Sequence, residues 1–571
     1  MGTQPTSRRD LLKAAGTAGV TGLTLSIAGC IGDDEDTGAP VPGIPGAEEL
    51  GDPVPELHLV MPTEGSNPER HDLALINAEN YEELGFEVNR DQMDFETQVT
   101  VALVDHDFDI NVIGWGGTPE RIDPHIFIFD LHHPDHADPG GRNSPGYDNP
   151  AYNELAEAQF VETDPEERQA LVYEAQEILA QDQPRTYVAA EADRHPYRND
   201  NVENVVPTMG EGLNSFWNMI TAETIGERAG EPLRFGMPTE VTSLNPMQDM
   251  ATPDRQWVRL LYDRLYRIND EGVPQPWAAA AEPTFQDDGT TVVVPIRDGM
   301  TFHDGEPVTP EVVKWSFEFF GEHSVTYGGL MDHVDEVNVS GPNEVTFYLH
   351  EALATFTANV LGAIYIFPQH IWEDIDDPVD EDDETYTGSG PYQFNEWILE
   401  QELRFDAFDD HFNSPNVDRI IRVRGADVSS LVGRLEQNEI DMLGGTPSVT
   451  AQDRLEDNDD ITQVTSPSIA FHKYAYNMRH EVMQDVYLRR ALSHCNEKET
   501  YVEDLLGGVG EVTHSPITPV NEFWHNPDVE EYNGFDIEAA AQELADGGYG
   551  WDEDGRLHYG ADFEPQMFYD E

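Results

Sequence analysis

Ile296-Arg297-Asp298-Gly299-Met300-Thr301-Phe302-His303-Asp304-Gly305-Glu306-Pro307-Val308-Thr309 is the stretch on which the reading of this chain turns. It grows out of Thr291-Val292-Val293-Val294-Pro295-Ile296, an apolar, β-branched run with the length of a buried strand. It leads into a helix from Pro310 to Phe320, where Pro310 suits the first turn and Thr309 its cap. Strand, turn and helix in succession are the unit of an α/β fold. Upstream, Leu233-Arg234-Phe235-Gly236-Met237 reads as a short strand. A helix is predicted from about Pro253 onward (DRQWVRLLYDRLYRI), with Val258, Leu261, Leu265 and Ile268 on one face.

The quoted run resembles the signature of the family 5 extracytoplasmic solute-binding proteins, the peptide- and nickel-binding receptors of ABC importers. Further resemblances follow in that family's order. Thr387-Gly388-Ser389-Gly390-Pro391-Tyr392 is similar to its GTGPY turn, and Leu435-Glu436-Gln437-Asn438-Glu439-Ile440-Asp441 to its helix-to-strand step. Tyr476-Asn477 with Asp485-Val486-Tyr487-Leu488-Arg489-Arg490-Ala491-Leu492, and Asp536 to Tyr549, continue the series. The family's closing third, expected after Glu571, resembles residues 55–222 instead. There Leu57 to Met61 reads as a strand. A helix from Leu73 to Leu84 ends at Gly85, and Phe86-Glu87-Val88 starts the next strand. Asp107-Phe108-Asp109-Ile110-Asn111-Val112-Ile113-Gly114-Trp115-Gly116-Gly117, Asp123-Pro124 and Gly146 to Tyr152 resemble further family motifs. Thr163-Asp164-Pro165-Glu166 reads as a capping box for a helix with Leu171, Val172, Ala175, Ile178 and Leu179 on one face.

The resemblance implies an α/β, two-lobed periplasmic-binding-protein type II fold with a hinge and an interlobe cleft, circularly permuted. The family order is then 233–571 followed by 55–222, with 223–232 joining the ancestral termini. Lobe II is expected over 55–189 plus 478–571, and lobe I over 190–477. The alternative is two unrelated fragments, but a half-lobe alone would leave a sheet face and edge unburied.

Residues 1–54 stand outside the fold. Ser7-Arg8-Arg9-Asp10-Leu11-Leu12 is a twin-arginine export signature, and Ile27-Ala28-Gly29-Cys30 resembles a lipobox, so 1–30 reads as a lipoprotein signal with lipidation at Cys30. Residues 31–54, acidic and then Pro/Gly-rich, read as a disordered tether.

The chain has 112 Asp+Glu against 31 Lys+Arg, a net charge of −81. Its lysines are Lys13, Lys314, Lys473 and Lys498. Such a ratio suggests disorder, but 38% apolar residues and nine Trp argue for a core. Folding in high salt reconciles the two, since the Debye length falls to ~3 Å at 1 M. The composition resembles that of haloarchaeal proteins. It contains no basic stripe for nucleic acid. With Cys30 in the signal, Cys495 is the one remaining thiol, so no internal disulfide is expected.

Ligands of open α/β sheets sit beyond the carboxyl ends of strands. Trp115 follows the strand Phe108–Ile113, and the resemblance implies that it lines the cleft; Gly116 and Gly117 permit close backbone approach. In peptide-binding relatives an Asp three residues beyond this Trp pairs with the peptide's α-ammonium, whereas this chain has Thr118 there; Glu120 and Asp123 are nearby acids. Ser466, Ser468, Phe471, Phe523 and Trp524 are further candidates. His125, Asp130, His132, His133, His136 and Asp138 cluster, yet the surrounding Pro and Gly residues make a loop without ligand spacing, so no metal is expected. No CxxC, HExxH, GxSxG or P-loop pattern occurs, and no cofactor or enzymatic activity is expected. Arg489 and Arg490 are expected to pair with acids. The function implied is a monomeric, lipid-anchored receptor on the extracellular face of the membrane. It hands a small solute, first a di- or oligopeptide, to ABC permease subunits. Oligosaccharide and nickel-chelate binding, and a secreted acidic hydrolase, are the alternatives.

Overall fold

The computed structural model describes residues 39–117, 121–248, 252–270, 272–325, 327–381, 386–532 and 534–563. Apolar, β-branched segments such as Leu57–Pro62 form strands of one 11-stranded mixed sheet. The order is Tyr392–Ile398, Glu402–Ala407, Arg419–Arg424, Leu233–Met237, Met442–Leu443, Arg185–Arg198, Ile461–Tyr476, Ile110–Trp115, Leu57–Pro62, Val88–Met93, with Gly510–Val512 on Arg185–Arg198. Two strands are long: Arg185–Arg198 has 14 residues and Ile461–Tyr476 has 16. They pair antiparallel from Ile461↔Arg198 to Ala475↔Arg185, with the register slipping between Pro467 and Phe471. Met442 joins this ribbon at Tyr197, and Ile110–Trp115 joins it at Tyr476–Phe471. The ribbon thus connects two sheet halves, each with its own helices.

Two hydrophobic centres follow. One is built from residues between Val202 and Met442, including Trp257, whose ring stacks on Phe405 at 5.7 Å. A second joins Leu57, Leu73, Tyr81 and Val112 to Tyr474, Leu488, Leu544 and Leu557. The opening and closing stretches therefore share one core. Polar contacts reinforce it. Asn77 Nδ2 donates to Tyr474 Oη and Asn496 Oδ1, both at 2.7 Å, and Trp551 Nε1 donates to Leu84 O at 2.7 Å. Helix Pro68–Glu83 starts at an Asn67 cap and ends before Gly85, φ +92°. A Cβ on Gly85 would lie 2.3 Å from Gly555 O, so the turn needs glycine for its conformation and for this approach. The tether expected over 31–54 does not hold for its described part: Leu50–Pro53 pairs antiparallel with Leu557–Gly560, and Val41 and Val54 are buried in the second core.

Several local expectations change. The helix from Thr252 stops at Leu261, and Tyr266–Ile268 is a strand paired with Pro274–Pro276. The chain leaves the helix so that buried Asp263 accepts from Trp277 Nε1 at 2.7 Å, and Leu265 is buried without helical periodicity. Asp164, rather than Thr163, caps helix Pro165–Asp182, accepting from Glu166 N and Glu167 N. Arg489 is buried and donates to the carbonyls of Asp182, Met483 and Gln484, while Arg490 donates to Gln181 O and, as expected, lies in the field of an acid, Glu543. Both thereby serve the unsatisfied end of that helix.

Candidate functional site

The two halves touch beside the ribbon. Ala354 N donates to Phe160 O at 3.0 Å, the Phe160 ring lies 5.4 Å from that of His333, and Ile122 sits against Gly272. Two neighbouring cavities open there, and Ala358 borders both. The larger, about 540 Å³, has Asp123, Arg168 and Trp524 on one side and Met209, Val273 and Ala354 on the other. The smaller, about 310 Å³, is walled by Arg121, His125 and Arg142 against Tyr327, His333 and Asn359.

Trp115 ends its strand opposite Phe471 and is partly buried. Three cations surround its ring: Arg121 Cζ at 4.6 Å, Lys473 Nζ at 5.2 Å and Arg142 Cζ at 5.6 Å from the centroid. Gly116 O accepts from Arg121 Nη1 at 2.8 Å. Gly117 presses on the register slip, where an added Cβ would lie 2.7 Å from Ala470 N and 2.8 Å from Ser468 Oγ. Ser468 Oγ itself accepts from Ala470 N at 3.0 Å. Trp115, Gly116, Gly117 and Ser468 therefore come together at the ribbon. Phe471 is wholly buried between Phe127 and Tyr187, so its ring packs the core. Ser466 is buried beside Gly212, near His195, away from both cavities. Trp524 lines the larger cavity, with Arg168 Cζ 5.1 Å from its ring, and Phe523 beside it is exposed. Thr118, Glu120 and Cys30 lie outside the described residues.

Asp123 is engaged: its carboxylate pairs with both Arg168 Nη atoms at 2.7 and 3.0 Å and accepts from His125 N. Burial alone would raise its pKa, but Arg168 holds it below the ordinary carboxylate range. Of the nearby histidines, His125 and His136 both lie 3.6 Å from Asp130 Oδ1, and the others turn elsewhere. His132 bonds to Tyr187 Oη and Phe127 O, and His133 stacks on Phe129 at 4.1 Å. The stretch expected to be a loop contains two short helical turns, Ile126–Asp130 and Pro134–His136. Among the described residues no group of three His, Cys, Asp or Glu is disposed to hold a metal ion.

Residue typing missed Arg121, Arg142, Arg168 and Lys473. The available signal was Lys473 itself, a rare lysine inside the apolar run Ala470-Phe471-His472-Lys473-Tyr474-Ala475. It is 4% exposed. Lys498 is buried too, with Nζ 2.9 Å from His514 Nδ1.

Residues 273–569 match the model of the bacterial extracellular solute-binding proteins, family 5 middle region. The chain belongs to this family. It is 28% identical over 332 residues to the oligopeptide-binding protein AppA of Bacillus subtilis, covering 55% of this chain and 58% of that protein. It is 23% identical over 320 residues to the dipeptide-binding protein of Escherichia coli, covering 50% and 58%. The chain thus spans about 58% of the length of these curated relatives. Among solved structures it is similar to NikZ of Campylobacter jejuni in complex with Ni(L-His), at 20% identity and a TM-score of 0.47, covering 58% of this chain and 66% of that one.

Proposed function

We propose that this family 5 protein is the substrate-binding receptor of an ABC transporter, capturing a small solute by closure of its two lobes. The observation that carries the reading is the pair of cavities walled by both halves at the end of the Trp115 strand. The larger, about 540 Å³, falls within the ~300–1,000 Å³ common for small-molecule sites. A di- or oligopeptide is the solute class favoured, because relatives at 28% and 23% identity are named for oligopeptide and dipeptide binding.

The same reading includes export by the twin-arginine route, a lipid anchor at Cys30, action as a monomer with membrane permease subunits, and a working milieu of high salt. It also includes circular permutation, with family order 233–571 then 55–222 joined through 223–232. Support comes from the family match, which is confined to 273–569, while Leu57–Val112 shares a core with Tyr474–Leu557. Leu50 lies opposite Gly560, so a short turn would link these strands in the ancestral order. We place the lobe change inside the ribbon, at Ala190–Ala192 and Pro467–Phe471, rather than at 477, because Phe471–Tyr476 pairs with Ile110–Trp115.

Intrinsic Trp fluorescence and thermal shift in multimolar salt, against dipeptides, oligopeptides, oligosaccharides and metal chelates, test the receptor reading. A peptide that shifts both supports it; no response from any class refutes it. A chain re-cut within 223–232 and joined between Gly560 and Leu50 tests the permutation. Native-like melting is expected, and failure to fold in every linker length would sink it.

A further inference from the structure

The Trp115 end of the cleft carries an excess of donors. Lys473 is 4% exposed, and among the described residues no carboxylate or other hydrogen-bond acceptor reaches its Nζ. Trp115 Nε1 and Arg185 Nε are buried without acceptors. Arg185 is otherwise held by carbonyls of Leu131 and Arg142. Arg121 and Arg142 line the smaller cavity. Asp130, the carboxylate on that wall, is bonded to Arg142 at 2.5 Å. Glu191 lies with His472 and Arg70, and the alternation of side chains along a strand puts His472 on the face opposite Lys473. Buried donors without acceptors cost free energy, and native structures tolerate them where something else supplies the acceptor. A concentration of cations here stands out in a chain of 112 acids and 31 bases.

Resting on the receptor reading above, we infer that the Trp115 end of the cleft takes an anionic group of the ligand, a carboxylate, in the field of Lys473, Arg121 and Arg142. A peptide would present its C-terminal carboxylate to Arg121 and Arg142 in the smaller cavity, whose guanidinium groups lie over the Trp115 ring. Burial, and then Arg185, Arg121, Arg142 and Arg70, push the Lys473 ammonium well below the usual lysine range. An arriving anion favours the charged form, so binding shifts Lys473 toward protonation. Capture is then coupled to proton uptake from solvent, with no covalent step.

The test is titration calorimetry of the full chain near neutral pH, in two buffers of different ionisation enthalpy. The probes are trialanine, N-acetyl-trialanine, trialanine amide and the neutral sugar maltotriose. Trialanine and its acetyl form should bind alike, and the amide about 30-fold or more weaker, as expected for a lost buried charge contact. Proton uptake, read from the difference between the two buffers, should accompany binding and vanish in Lys473→Met. Arg121→Gln should weaken trialanine about tenfold while leaving the uptake in place. Lys473→Met should melt no lower than wild type, since it replaces a buried amine that lacks an acceptor by an apolar side chain of similar length; if it misfolds, the Arg121→Gln and amide arms still decide. Equal affinity for acid and amide, or loss on acetylation instead, overturns the inference. So does maltotriose binding unchanged in Lys473→Met, which leaves the receptor reading standing. Silence from all four probes counts against both.

Discussion

Arg168→Met tests how the cavity wall is held. In the wild type Arg168 pairs with Asp123 at 2.7 and 3.0 Å, with side chains 6% and 11% exposed, so solvent screens the pair little. It also donates to Gln159 O at 2.9 Å and lies over Trp524. Removing the cation leaves Asp123 buried and uncompensated. Breaking such a pair costs about 3–5 kcal/mol. At roughly 2–4 °C per kcal/mol, Tm falls on the order of 10 °C. Asp123→Asn keeps an oxygen for His125 N, so the double variant should regain most of the loss. The pH dependence follows from the depressed carboxylate: the pair's stabilisation is full above the unfolded Asp value near ~4 and is lost as pH falls through the folded value. Denaturant titration of wild type, both single variants and the double variant over a pH series gives the cycle. A loss under about 1 kcal/mol for Arg168→Met, or a double variant no more stable than the single, refutes the argument.

Three other outcomes are expected. Gly117→Ala drives a Cβ into Ala470 N and Ser468 Oγ; thermal melting should register about 1–3 kcal/mol of destabilisation, and an unchanged melt would mean that the contact is not fixed. Asp193 is pushed up to about 6 by burial and by Glu191, so its ionised form costs stability as pH rises from the unfolded value toward and past 6. Asp193→Asn should therefore raise Tm near pH 7.5 and lose that gain as pH drops toward 4, whereas a gain independent of pH would contradict the assignment. Phe160→Ala removes a ring 5.4 Å from His333 across the cleft; small-angle scattering should report a larger radius of gyration, and an identical curve would show that the ring does not hold the halves together.

The α/β class and many element positions were legible, because buried strands and capped helices write their periods and caps locally. Thr309-Pro310 and Leu84-Gly85 are such cases. The helix predicted through Ile268 failed because its apolar spacing was equally compatible with burial in a turn and strand, and the tertiary partners Trp277 and His411 of Asp263 decided the outcome. Trp115 was found from its neighbours in sequence. The cations around its ring were not, since Arg121, Arg142 and Lys473 converge only after strand Ile461–Tyr476 is laid beside Ile110–Trp115. Phe471 and Trp524 carried the same aromatic signal, yet Phe471 sits in strand Ile461–Tyr476 and packs the core, whereas Trp524 sits in a turn outside the sheet and lines a cavity.

The seclusion of Lys473 and Lys498 has a practical consequence. Of the three lysines among the described residues, only Lys314, beside Glu318 on its helix, meets solvent appreciably. An acylating reagent selective for primary amines should therefore mark the native domain at one side chain and the denatured domain at three. Intact-mass spectrometry would then count opened molecules directly, with no engineered reporter.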